Sequence, residues 1–315
     1  MTARLCARRP RIFAQMIDMA RRRASPSLRI WTGRVFIAAM VGWLLWRLYE
    51  IGWAAIWAAR PRSPSFYLLL VIGYLVLPSA DGLIYRRLFR LPFAVLFPML
   101  LRKRIWNAVV LGYSGEVFLM MWARRRVAAP VTEIGHAIKD VNILSAAAST
   151  IICAALFGWL LAAHGLGSQA GRTAGILLLA VPALPLLLAL RWRLVMLAPG
   201  LSAWVLGVHL IRFVTTQLIQ LAVWHAALPD IDMGTLGRLL AVQMIVGRLP
   251  FLPNRDLLFI GAGLALSGPL ALPRAALASL LVTASAIQQL LHAAFFLATM
   301  PASADIREPF PSCAS

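Results

Sequence analysis

Carboxylates are scarce in this chain. Only 11 acidic residues stand against 31 basic ones, giving a formal net charge of +20 over 315 residues. Such an excess often marks a nucleic-acid binder. Here, however, the arginines flank apolar runs in short groups, the distribution of the positive-inside rule and of contact with anionic headgroups, so nucleic acid is excluded as a partner. Cysteine is also rare. Cys6, Cys153 and Cys313 are widely spaced and form no C-x-x-C pattern, which excludes a disulfide framework and a zinc site. Extended polar sequence is lacking beyond residues 1–34, leaving no room for a sizeable soluble catalytic domain. H-E-x-x-H, P-loop, G-x-G-x-x-G and paired-aspartate motifs are all absent. No cofactor or metal is implied, and any chemistry is expected inside the apolar part.

What is abundant is hydrophobic sequence. It makes up 61% of the residues, mean hydropathy is +0.80, and apolar runs of about twenty residues recur from 35 to 299. The expected fold is an all-α polytopic membrane protein with about six full spans plus two broken or re-entrant helical segments, arranged as two inverted halves. Residues 1–34 form a basic cytoplasmic segment, 35–300 the membrane domain and 301–315 a short tail. Within the first segment, residues 11–23 read either as a basic amphipathic helix on the membrane surface or as a disordered tail.

Full spans are predicted at 35–49, 66–89, 140–164, 173–190, 201–227 and 276–300. Basic residues before the first span place the amino terminus in the cytoplasm, the membrane being of the bacterial inner-membrane type. Residues 52–59 read as an aromatic interfacial turn with Trp53 and Trp57 at headgroup level. Pro92 and Pro98 are expected to break any helix between residues 90 and 104. Between the clusters Arg102-Lys103-Arg104 and Arg124-Arg125-Arg126 lie nineteen apolar residues, 105–123, carrying Gly112-Tyr113-Ser114-Gly115-Glu116 at their middle. At ~1.5 Å per residue they could cross a membrane. A re-entrant hairpin is preferred, because it keeps both clusters and the later Arg191 and Arg193 inside and Asp230 and Asp232 outside. A second break, Pro250 to Asp256, separates two apolar arms at 236–252 and 257–272, which are either half-helices or short crossings. Interrupted segments in corresponding positions of two halves point to a transporter-like site.

An ionisable side chain in a span costs roughly 2.5–3.5 kcal/mol and needs a partner or a polar cavity. The candidates are Asp81, Glu116, Arg212, Arg248 and Asp256. Glu116 leads, with Gly115 permitting close backbone approach and Asn107, Tyr113 and Ser114 adding hydrogen-bonding groups. His209, Arg212, Thr216 and Gln220 share one helical face, so Arg212 is placed to bind a lipid phosphate or to pair with Glu116. Gly112-Tyr113-Ser114-Gly115 also has the G-x-S-G form of intramembrane serine proteases, with His209 and His292 as the available bases.

Leu111-Gly112-Tyr113-Ser114-Gly115-Glu116, followed by Trp122-Ala123-Arg124-Arg125-Arg126, resembles the membrane domain of the lysylphosphatidylglycerol synthases. That superfamily includes stand-alone flippase-like proteins. Gly115-Glu116 matches its Gly-Glu pair and Arg124 to Arg126 its basic end. Pro250 through Asp256 is similar to its later proline- and glycine-rich element. Tyr113 and Leu119 stand where the family often has arginine, so headgroup selectivity is not implied. The resemblance implies a lipid-handling membrane protein with re-entrant helices, and no aminoacyl transfer.

The expectation is a lipid flippase or transporter-like protein, not an enzyme, acting on a phospholipid or related amphiphile through Glu116, Gly115, Asn107, His209, Arg212, Gln220, Arg248 and Asp256. Membrane lipids, with anionic headgroups foremost, are the expected partners, and self-association into a homo-oligomer is compatible with the chain. The competing readings are an intramembrane serine enzyme using Ser114 and a non-transporting scaffold for envelope biosynthesis.

Overall fold

The computed structural model describes residues 48–109, 113–164, 195–248 and 255–300, together with positions 42, 45 and 46; for 160–164, 248, 255 and 256 it describes the backbone alone. The chain divides into two units after Arg47, and the helices below all belong to the second. The predicted span at 173–190, most of the one at 35–49, the amino-terminal helix and the turn at 250–254 lie outside the described residues. Among the described residues the secondary structure is entirely helical. We number the helices α1 (Trp53–Ala58), α2 (Pro64–Phe89), α3 (Phe93–Val109), α4 (Ser114–Arg126), α5 (Val131–His164), α6 (Pro199–Ala227), α7 (Met233–Arg248), α8 (Arg255–Leu266) and α9 (Arg274–Ala298).

Among the described residues, four helices are long and apolar enough to cross a membrane: α2, α5 over Val131–Trp159, α6 and α9. They correspond to four of the predicted spans. The chain is thus a helical protein compatible with several membrane passes. Their starts follow simple rules. Pro64 and Pro199 occupy the first turns of α2 and α6, where the missing N–H has no intrahelical partner to lose. At the other end of α2, Arg90 takes a left-handed conformation, φ 54°, and Arg86 and Arg87 lie in the last turn, where the helix dipole favours cations. α5 begins nine residues before the predicted span, because Ile134, Ile138, Val141 and Leu144 continue one buried stripe. The α7 start is capped by Asp232, whose Oδ1 accepts the Thr235 N–H at 2.9 Å.

Two expectations are corrected. The aromatic turn at 52–59 is a short helix, α1, entered through Gly52 at φ 91°. Pro98 does not break the chain, since it lies inside α3. An interior proline costs about 3 kcal/mol, but Leu96, Met99, Leu100, Leu101 and Ile105 on this helix are buried. At roughly 1.5–3 kcal/mol for each such side chain, burial outweighs that cost.

The hydrophobic core gathers Ile84, Tyr85 and Phe89 of α2, Leu96, Met99 and Leu100 of α3, Leu119, Trp122 and Ala123 of α4, the α5 stripe and Val205 of α6. The α3–α4 pair packs between α2 and α5 and also touches α9 through α3. α7 and α8 pack on each other, α7 against α5 and α6, and α8 against α9. The first helix pair therefore takes its walls from α2 and α5, and the second from α5, α6 and α9.

Candidate functional site

α3 and α4 form a helical hairpin whose turn carries Tyr113 in the left-handed region, φ 72°. Stacking of Trp106 on Phe118, with centroids 6.2 Å apart, ties the arms near the turn. Leu96 and Met99 meet Leu119 and Trp122 in the core further away. The hairpin expected over 105–123 therefore has a longer first arm. It begins at Phe93, so the cluster Arg102-Lys103-Arg104 lies within the arm and does not flank it.

Gly115 sets how closely the two arms approach. A β-carbon there would collide with the Lys103 carbonyl oxygen, closer than any side chain tolerates. Its N–H donates to Asn107 Oδ1 at 2.7 Å, so an amide on α3 satisfies one of the open donors at the start of α4. The Ser114 hydroxyl donates to the Trp106 carbonyl at 2.7 Å. That bond ties the hairpin and directs the hydroxyl proton to backbone, not to a histidine.

Glu116 follows in the first turn of α4, at the positive end of the helix dipole. Its Oε1 lies 3.4 Å from Lys103 Nζ, while Oε2 is buried without a hydrogen-bond partner. Lys103 makes its shorter contact elsewhere, donating to Asp81 Oδ2 of α2 at 2.8 Å. Asp81 and Lys103 are both buried. The lysine Nζ also stands 5.6 Å from the centroid of the Tyr85 ring. The ion pair considered between Glu116 and Arg212 is made by Lys103 in place of Arg212.

Arg212, buried on α6, donates through Nη2 to Ser145 Oγ of α5 at 3.0 Å. His209 lies one turn earlier and is 1% exposed. Asp81, Lys103 and Glu116, contributed by α2, α3 and α4, form an ion-paired group inside the helices. At an effective dielectric near 20, unit charges 2.8 Å apart attract by roughly 6 kcal/mol, whereas desolvation costs several kcal/mol per ion. The two nearly cancel, so stability alone does not account for the group.

The other members of the first basic cluster are also built in. Arg102 Nε donates to Thr299 Oγ1 at 3.0 Å and its guanidinium lies over Phe296, 5.0 Å from the centroid. Arg104 Nη1 donates to the Tyr74 carbonyl at 2.7 Å and its guanidinium lies 4.2 Å from the Tyr74 ring centroid. Gln220 is placed apart from the charged group, in a cleft with Arg104. Arg248 ends α7 and Asp256 lies in the first turn of α8, but their side chains fall outside the described residues.

Lys103 was missed as a site residue because it reads as a cytoplasmic flank. One signal does set it apart: it is one of two lysines, with Lys139, among 31 basic residues. A compact, rotatable ammonium can be shared between two carboxylates where a planar guanidinium fits poorly. Among the described residues no cluster of histidine, cysteine and carboxylate side chains has the makings of a metal site. Comparison with family models, curated proteins and solved structures finds no match to this chain.

Proposed function

We propose that this chain is a flippase-like lipid transporter of a bacterial-type inner membrane, with its amino terminus in the cytoplasm, about six full spans and the α3–α4 hairpin re-entering from the cytoplasmic side. The single observation that carries this reading is the ion-paired group Asp81–Lys103–Glu116, drawn from three helices of an otherwise apolar bundle, with Asp81 and Lys103 buried. Ionisable groups inside membrane helices mark ion, proton or substrate pathways.

Within that group the two carboxylates have different work. Asp81, at 2.8 Å, is the standing counter-ion of Lys103. Glu116, at 3.4 Å and with one oxygen unpartnered, is the carboxylate that exchanges Lys103 for a proton or a cationic headgroup. The sequence carries no nucleotide-binding motif, so movement is downhill or ion-coupled. The resemblance to the lysylphosphatidylglycerol synthase membrane domain supports an amphiphile as cargo, and the Gly115-Glu116 pair that carries it lies where the hairpin meets Lys103.

Reconstitution of the purified chain in liposomes, with a fluorescent phospholipid as reporter, tests the role of Glu116. Glu116→Gln is expected to slow lipid movement by roughly tenfold or more, a loss on the order of 1.4 kcal/mol in the rate-limiting barrier. Equal movement by a folded Glu116→Gln variant would remove Glu116 from the mechanism.

A further inference from the structure

Lys103 stands between two carboxylates but sits closer to one, 2.8 Å from Asp81 Oδ2 against 3.4 Å from Glu116 Oε1. Glu116 Oε2 is shut away from solvent and has no hydrogen-bond partner. An ionised carboxylate spreads its charge over both oxygens, so part of that charge meets no donor, a costly state inside an apolar bundle. One positive charge bound at Oε2 removes the cost. We propose that this charge is a proton, and that Glu116 is the protonation site coupling lipid movement to a proton gradient. The inference rests on the exchangeable role given to Glu116 above and names what it exchanges for.

Three features single out the proton. The first is space. Oε2 is closed off from solvent, and at Gly115 the backbone of α3 lies so near that one added carbon would collide with the Lys103 carbonyl. An ammonium headgroup is no smaller than a water molecule and does not fit there, whereas a proton adds no volume. The second is charge. A metal cation needs several oxygen ligands at once, and here it would face the Lys103 ammonium across the same carboxyl. A proton leaves that ammonium on Asp81, its nearer partner. The third is a hydroxyl that suits both states. Tyr85 is fully buried, its hydroxyl has no hydrogen-bond partner, and its ring centroid lies 5.6 Å from Lys103 Nζ. A phenol donates to an ionised carboxylate and accepts from a protonated one.

The other ionisable side chains around α4 are engaged elsewhere. Arg102 and Arg104 of α3 reach Thr299 and Tyr74. From α5, Asp140 accepts the Met196 and Leu197 N–H groups and pairs with Lys139, while Glu133 and His136 are exposed. From α6, Arg212 donates to Ser145, with the buried His209 one turn earlier. Arg124 to Arg126 lie exposed at the far end of α4. Among the described residues Lys103 is thus the cation paired with Glu116. The step is a plain proton transfer. Water on one side supplies H⁺, the Glu116 carboxylate becomes a neutral carboxyl, and Lys103 stays charged on Asp81. Release of the proton to the other side restores the ion-paired group.

The test measures proton and lipid movement together in proteoliposomes of the full chain. The vesicles contain phosphatidylglycerol and phosphatidylethanolamine, each traced by a fluorescent analogue, with a pH-sensitive dye inside and the membrane potential clamped. Under an imposed pH gradient, wild type is expected to carry protons at least roughly tenfold faster than Glu116→Gln. It is also expected to move lipid faster with the gradient than after a protonophore has collapsed it. Glu116→Asp, which keeps a carboxyl, is expected to restore part of the proton movement. Wild type alone already decides the matter if a variant fails to fold: lipid movement that ignores both gradient and protonophore overturns the inference, as does the absence of proton movement. Lipid movement without protons that is still lost in Glu116→Gln would leave the transport reading standing and return Glu116 to a cationic headgroup. Equal lipid movement in wild type and Glu116→Gln would instead sink the transport role of Glu116, and this inference with it.

Discussion

The triplet Arg102-Lys103-Arg104 is built into the helix bundle, each cation on a different partner: Thr299 and Phe296 for Arg102, Asp81 and Glu116 for Lys103, Tyr74 for Arg104. Arg124-Arg125-Arg126, one helix later, is exposed at the end of α4. As sequence the two triplets differ by one methylene-chain cation. Their fates differ because of what stands opposite. Asp81, a lone carboxylate in the apolar α2, and Glu116, at the start of α4, give the first triplet acceptors to reach. The second follows the buried Trp122 and Ala123 into the last turn of α4, where the dipole and water receive cations. Basic clusters beside apolar runs are therefore not one class of object. Some orient a protein in the membrane, and some are its interior.

Breaking the comparison should give its largest effect at Lys103. Lys103→Met leaves the buried Asp81 and the half-buried Glu116 without their shared cation and is expected to lower stability by about 3–5 kcal/mol. Replacing all three of Arg124 to Arg126 by Gln is expected to change it by less than about 1 kcal/mol while weakening topological orientation. Unfolding midpoints in detergent separate the two, and equal shifts would show that both triplets are surface features. Next in size is Gly115→Ala. Its added carbon would meet the Lys103 backbone and must push α3 and α4 apart, at about 3 kcal/mol of overpacking; a variant as stable as wild type would mean that the arms do not approach so closely.

The smallest effect is expected outside the bundle. Hydrogen bonds from the Thr235 hydroxyl and backbone hold the Asp232 carboxyl below its ordinary range. A depressed carboxyl stabilises the fold above its unfolded pKa, and that contribution fades as the pH falls through the lower folded value. Asp232→Asn should therefore flatten the acid side of the stability–pH curve slightly, whereas an unchanged curve would remove Asp232 as a pH-sensitive cap.

Much of the scaffold was legible. The starts of α2, α6 and α9 fall within two residues of the predicted spans at 66, 201 and 276, because long apolar runs bounded by proline or charge admit few other readings. Glu116 and Gly115 were legible as a pair, since a carboxylate beside glycine in an apolar segment has few structural excuses. The polar face of α6 was legible from the spacing of His209, Arg212, Thr216 and Gln220. Its partners were not. Pairing Lys103 with Asp81 joins residues 22 positions apart and depends on how α3 turns against α2, which hydropathy does not encode. Pro98 misled for a related reason: proline's local cost is visible in sequence, while the buried side chains that outweigh it are visible only once α3 has neighbours.

We propose that Glu116, held loosely by Lys103, is the exchangeable charge on a path for amphiphiles. Lipid movement in proteoliposomes, compared among wild type, Glu116→Gln and the surface variant Arg124→Gln with folding verified for each, tests it most directly. Movement that falls roughly tenfold or more in Glu116→Gln and persists in Arg124→Gln is the predicted result. Equal movement in all three would contradict it.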